Sequence, residues 1–168
     1  MRPGSAEDVD SDVDLHDSAQ RAETRPRQWD IVVAIALGGV IGAESRYGLA
    51  TALPHTGGQF PWSTLIINVV GCLLIGVLMV LLLELASPHR LARPFLGIGV
   101  LGGYTTFSTF TVDAERLVNA HRPLMALAYV MSTVVLCLLA VFAATVATQL
   151  AGEFVIERRG RRHSDRRS

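Results

Sequence analysis

"GVLGGYTTFSTF", residues 99–110, decides how this chain is read. The sequence around it is apolar enough for a membrane helix, yet here paired glycines give way to Thr105, Thr106, Ser108 and Thr109, with Phe107 and Phe110 three apart. Glycine loosens a helix, β-branched threonines disfavour its resumption, and hydroxyls can satisfy the backbone groups that a break frees. Non-helical backbone at membrane depth is tolerated where it is buried in protein or lines a wet cavity, so a break here points to an ion or solute site. A continuous helix whose hydroxyls bond back to the preceding turn is the other reading of the same spacing.

Outward from this stretch the chain divides by composition. Of 168 residues, 50% are hydrophobic, and the polar ones gather at the ends. Residues 1–28 form an acidic tail without apolar periodicity, expected to be disordered, and residues 152–168 form a basic tail rich in arginine. Between them, over 29–151, segments near 30–52, 62–86, 94–117 and 123–150 each reach the roughly 20 apolar residues that a bilayer crossing needs. The expected fold is an all-α integral membrane protein of four transmembrane helices, the third broken at its centre. An acidic start and no cleavage pattern after the first apolar stretch argue against a signal peptide. Cys72 and Cys137 each lie in an apolar run and read as small buried hydrophobes, with no disulfide framework. Every basic residue is arginine; near the span ends nine fall on the side of the termini and the second connection, against Arg46, Arg116 and Arg122 on the other. That bias places the termini mainly in the cytoplasm of a multi-pass cell-membrane protein, with the basic tail drawn to anionic lipid. Nothing in the chain looks like an ATP site, and no nucleic-acid partner is expected.

Three motifs in order carry a resemblance to a known family. "GGYTTFSTF" (102–110) resembles the signature of the Fluc/CrcB fluoride channels, "GGVIGAESRY" (38–47) is similar to that family's first-span pattern, and "STLIINVVGCLLIG" (63–76) is similar to its second-span motif with a central asparagine. The resemblance implies passive export of cytoplasmic fluoride, and so fluoride resistance, through pores at the interface of an antiparallel dimer. It also implies a structural Na+ at the dimer centre, held by backbone carbonyls of Gly102 and Thr105. No catalysis is implied; the chain is not expected to be an enzyme.

Physical chemistry can be set beside each position that the resemblance marks. Phe107 and Phe110 share one face of the helix after the break, and electropositive ring edges can hold a small anion without the grip of a fixed charge; permeation needs that compromise. Ser108 and Thr109 add hydroxyls to the same path. Asn68 is the single amide of the second span, with Thr64 one turn before it; an interhelical hydrogen bond is as good an account of it as a pore role before the resemblance is considered. Tyr129 and Thr133 are one turn apart on the fourth span and resemble a polar track, with Cys137 next along where a polar or small residue is expected. Arg46 is either a snorkelling anchor or a gatherer of anions at a pore mouth. Glu44 departs from the family pattern. It motivates the alternative reading, a four-span proton-coupled exporter of cationic compounds using Glu44; a non-transporting scaffold is a third possibility. One sequence inserting both ways is easiest when arginine bias is small, so the bias points to pairing with an oppositely biased paralogue, with a second copy as the other possible partner.

Overall fold

The computed structural model describes residues 18–82 and 90–164, with side chains described over 28–82 and 90–152. It is all-helical among the described residues: α1 (Ser18–Ala52), α2 (Trp62–Val80), α3 (Arg93–Leu101, extended by the turn Gly102–Tyr104), α4 (Ser108–Asn119) and α5 (Pro123–Ser164). Four stretches are long and apolar enough to cross a membrane: Gln28–Ala52, Trp62–Val80, Arg93–Asn119 and Pro123–Gly152. At 1.5 Å per residue the 19 residues of α2 span about 28 Å, the thickness of a hydrocarbon core. The expected second span ran on to 86, but residues 83–89 lie outside the described residues, as do 1–17 and 165–168 of the expected tails. Residues 18–27 and 153–164 continue α1 and α5 as helical backbone beyond the apolar stretches.

The third span is interrupted. From Arg93 to Leu101 it is wound in wide π-type turns. After Tyr104 the chain leaves the helix, with Thr105 extended at ψ 159°, and it resumes at Ser108. Thr105 Oγ1 does bond back to Leu101 O at 3.0 Å, as the continuous-helix reading would have it, yet the backbone breaks at that same residue.

Glycines set how close the helices come. α1 and α3 meet backbone to backbone: a Cβ on Gly99 would stand 2.7 Å from Ile35 O, and one on Gly38 would run into Phe95 O. Gly42 and Gly103 continue the seam, so the glycine-rich pattern of the first motif acts in packing. On the other side α2 packs on α5, where a Cβ on Gly76 would lie 2.7 Å from Val141 O and 2.8 Å from Ala144 Cβ. A small core of Leu65, Leu117, Ala126 and Tyr129 joins α2, α4 and α5 near the break. Most large apolar side chains elsewhere, Leu37, Val40, Leu124 and Leu138 among them, face outward, as suits lipid or a neighbouring chain.

Candidate ion pathway

The break is held by one side chain. Asn68 Nδ2 donates to Thr106 O at 3.0 Å, and Thr106 N donates to Asn68 Oδ1 at 3.0 Å, so a single amide from α2 takes both backbone groups of the residue in the gap. Thr106 in turn organises the restart of the helix. Its Oγ1 accepts from Thr109 N at 3.2 Å and donates to Thr109 Oγ1 at 3.1 Å.

These bonds divert donors from the helical ladder. In an unbroken helix the Thr106 N–H would reach Gly102 O and the Thr109 N–H would reach Thr105 O. Here they go to Asn68 and to the Thr106 hydroxyl, which releases the carbonyls of Gly102 and Thr105. Gly102 is exposed and Thr105 half-buried. Two neutral carbonyl oxygens are a fitting donor set for a hard monovalent cation, although one chain supplies too few to complete a shell.

Two clefts meet at Thr106, which lines both. The smaller, of about 540 Å³, is lined by Asn68, Gly102, Thr105, Phe107, Phe110 and Thr133, together with Cys72, Cys137 and apolar residues of α2, α3 and α5. The larger, of about 760 Å³, is lined by Arg46, Thr64, Ser108 and Thr109, with His55 and Ser63 from the start of α2 and the connection before it. The structure therefore distributes the expected path residues over both clefts, on either side of the clamped break. Phe107 and Phe110 have ring centroids 5.9 Å apart, tilted by 40°. Phe107 is 80% exposed, so its ring projects from the chain into whatever lies beside it.

Tyr129 is placed differently. It is fully buried, packs against Phe110 at 5.3 Å with the rings tilted by 43° and edge-on against Phe60 at 5.6 Å, and lines neither cleft. Its Oη lies beside Thr64 and Asp113 without a hydrogen-bond partner. Thr133, one turn on, spends its hydroxyl proton on Tyr129 O at 2.7 Å, leaving its oxygen as an acceptor. Glu44 is exposed on α1 and lines neither cleft.

Sequence reasoning missed the polar cluster at the larger cleft. Asp113 on α4 is 2% exposed and accepts from Thr64 Oγ1 at 2.6 Å. Arg116 Nη1 donates to Asp113 Oδ1 at 3.4 Å, and His55 Nε2 lies 3.2 Å from the same oxygen, in ion-pair range but without a hydrogen bond. His55 Nδ1 lies 3.0 Å from Ser63 Oγ. Thr64 thus has its proton committed to a carboxylate, and its hydroxyl can turn to another acceptor only by giving up that bond. The available signal was the register: Asp113 follows Phe110 by three and precedes Leu117 by four, which puts a carboxylate on the buried face of an amphipathic helix.

A four-span helical membrane protein whose third helix is cut, clamped from the second, and flanked by two clefts, one rich in polar side chains and one mostly apolar with Asn68 and threonines at the break, has the build of a multi-pass transport protein. The family model described as CrcB-like protein, Camphor Resistance (CrcB), matches residues 33–145. A Streptomyces avermitilis protein named fluoride-specific ion channel FluC 2 is 50% identical over 120 residues, 68% of this chain and 76% of its own. Proteins with the same name from Thermobifida fusca and Nocardia farcinica are 48% identical over 120 residues and 45% over 130, covering 71% and 77% of this chain and 89% and 93% of theirs. The chain belongs to the CrcB family, a family of ion channels and not of enzymes.

Proposed function

We propose that this chain conducts fluoride passively across the cell membrane as one half of an antiparallel dimer, exporting the ion and protecting the cell from it. The observation that carries the reading is the Asn68 clamp on Thr106, with Phe107 and Phe110 on the cleft beside it. One of the two amide hydrogens of Asn68 is taken by Thr106 O, and the other is left for the cleft. That hydrogen and the ring edges offer weak positive potential without a fixed charge, enough to replace part of a small anion's water and too little to trap it. The names of the relatives supply the identity of the anion.

The dimer is supported by what one chain leaves open. Phe107, Ser108 and Thr109 are all exposed at the break, and lipid cannot satisfy hydroxyls at membrane depth. A second chain in the opposite orientation would cover them and complete the walls of both clefts. It would also double the released carbonyls of Gly102 and Thr105. Na+ is the cation that we assign to them: when bound, it ties the two broken helices together at the centre. The arginine bias, nine against three, and the occurrence of relatives named FluC 2 and FluC 3 in one Streptomyces species support pairing with a paralogue inserted the other way round. Fluoride driven outward by the negative-inside potential needs no further energy source.

Fluoride efflux from vesicles containing the purified protein tests the reading. Salt-loaded vesicles with a potassium ionophore should release fluoride and retain chloride; fluoride retention by vesicles carrying folded protein overturns it. A C-terminal tag labelled from each side of the membrane tests orientation, and equal labelling from the two sides removes the paralogue idea.

A further inference from the structure

Cys72 and Cys137 are the two cysteines of the chain, and neither is in a disulfide. Read along the sequence they are separate apolar fillers, but the fold brings them together. Gly76 packs on Val141 and Ala144, and Thr64 lies beside Tyr129, so α2 and α5 run in the same direction. Stepping by four along each helix pairs Thr64 with Tyr129, Asn68 with Thr133 and Cys72 with Cys137. Both cysteines line the 540 Å³ cleft, one rung beyond Asn68 and Thr133, so the register of α2 on α5 sets them as neighbours across it.

We propose that Cys72 and Cys137 form a two-thiolate site for a soft, two-coordinate d10 cation of the Hg2+, Ag+ or Cu+ type, and that filling it closes the cleft to the anion. Each thiol loses its proton as its sulfur binds the metal, so two sulfur–metal bonds form, two protons leave and no electrons are transferred. Thiolates select soft cations. The neighbouring wall is apolar, with Ile75, Leu101, Val134 and Leu138, and offers no imidazole or carboxylate to build the tetrahedral shell that Zn2+ prefers. Among the described residues no group of three or more His, Cys, Asp or Glu could hold a metal ion, which leaves a two-coordinate ion as the match for this pair. Closure follows from position and charge: the ion would sit in the cleft that Phe107 and Phe110 line, and a bis-thiolate of Ag+ or Cu+ carries a net negative charge that repels an anion there.

The binding half of this inference is independent of the channel reading, and the closure half rests on it. The test starts with the purified full-length protein in detergent, titrated with Hg2+ while its free thiols are counted with a chromogenic reagent. One Hg2+ per chain should remove both thiols together. In Cys72→Ser and Cys137→Ser the affinity should fall by roughly 100-fold or more, because the second thiolate acts as an intramolecular ligand. Thiols that react independently with two equivalents, or serine variants that bind as tightly as the parent, overturn the site. Fluoride efflux from vesicles is then measured with one equivalent of Hg2+, each variant normalised to its own metal-free rate. Loss of flux in the parent, reversed by excess dithiol and weakened in both variants, is expected. One-to-one binding with undiminished flux overturns closure alone. Absence of flux without metal overturns the channel reading and closure together, while the titration still decides the site.

Discussion

Replacing Asn68 with alanine removes both hydrogen bonds that hold Thr106 in the gap, each 3.0 Å long. Thr106 is 7% exposed, so its N–H and C=O would be left largely without water. A buried polar group without a partner costs about 1–3 kcal/mol, which sets an upper range of roughly 2–6 kcal/mol for the two. Hydrogen bonds between membrane helices contribute less, about 0.6 kcal/mol on average, because unfolded helices in lipid also find partners. The cleft beside Asn68 admits some relaxation, and the expected loss is about 2–4 kcal/mol. In detergent that corresponds to a fall in melting temperature on the order of 10 °C. Asn68→Asp sharpens the test. It keeps an acceptor for Thr106 N but sets oxygen against oxygen where Nδ2 meets Thr106 O, so it should destabilise as well despite its near-identical shape. Fluoride efflux should be lost in both variants. If Asn68→Ala abolished flux while melting like the parent, the amide would be touching the ion and not holding the break, and the clamp would be refuted.

Phe107→Ile should leave stability within about 0.5 kcal/mol, since the ring is 80% exposed, while lowering fluoride flux about tenfold, equivalent to roughly 1.4 kcal/mol in the barrier. Phe110→Ile should lower both flux and melting temperature, because it also loses the ring contact with Tyr129 at 5.3 Å, worth about 1 kcal/mol. Gly99→Ala should cost about 1–3 kcal/mol by forcing a methyl against Ile35 O, whereas Gly48→Ala, with nothing within 4 Å, should be neutral or stabilising; equal melting temperatures would refute the seam. Asp113→Ala should melt below Asp113→Asn by about 1–3 kcal/mol, because the amide still offers an acceptor to the Thr64 hydroxyl and a methyl does not.

How much of this was legible in the sequence follows from the range of each force. The four spans were legible because lipid imposes a length and a composition on every crossing, and the break because Gly102, Gly103, Thr105 and Thr106 act on their own backbone. Asn68 was legible as a polar group in an apolar run. Its partner was not, since Thr106 lies 38 residues away and contributes backbone, which has no sequence signature. Asp113 and His55 were missed for a similar reason: the register of α4 puts Asp113 on a buried face, but its partners are distant in sequence, and only packing brings it and His55 to Thr64 and Ser63. Tyr129 was legible as a polar group of the fourth span but not as a core residue, because its burial depends on Phe60 and Phe110 from two other segments. The cysteine pair needed the register of α2 on α5, which is fixed by the contact at Gly76.

On the proposed reading one interruption serves ions of both signs, and the clamp supplies a physical reason. Cutting a helix exposes two unlike ends: carbonyls at the C-terminus of the first half and N–H groups at the N-terminus of the second. In a simple gap these ends would face each other and water would join them. Here Asn68 occupies the gap and the Thr106 hydroxyl takes the Thr109 N–H, so the carbonyls of Gly102 and Thr105 are released from the N–H groups that would otherwise neutralise them. The negative end of the break is thereby free for a hard cation. The positive side is left to the start of α4, the remaining amide hydrogen of Asn68 and the edges of Phe107 and Phe110 on the same cleft. Because one amide separates the two ends, its loss should disturb the cation seat and the anion path together. An Asn68→Ala protein should therefore lose any stabilisation by Na+ along with its fluoride flux, whereas Phe107→Ile should lose flux and keep it.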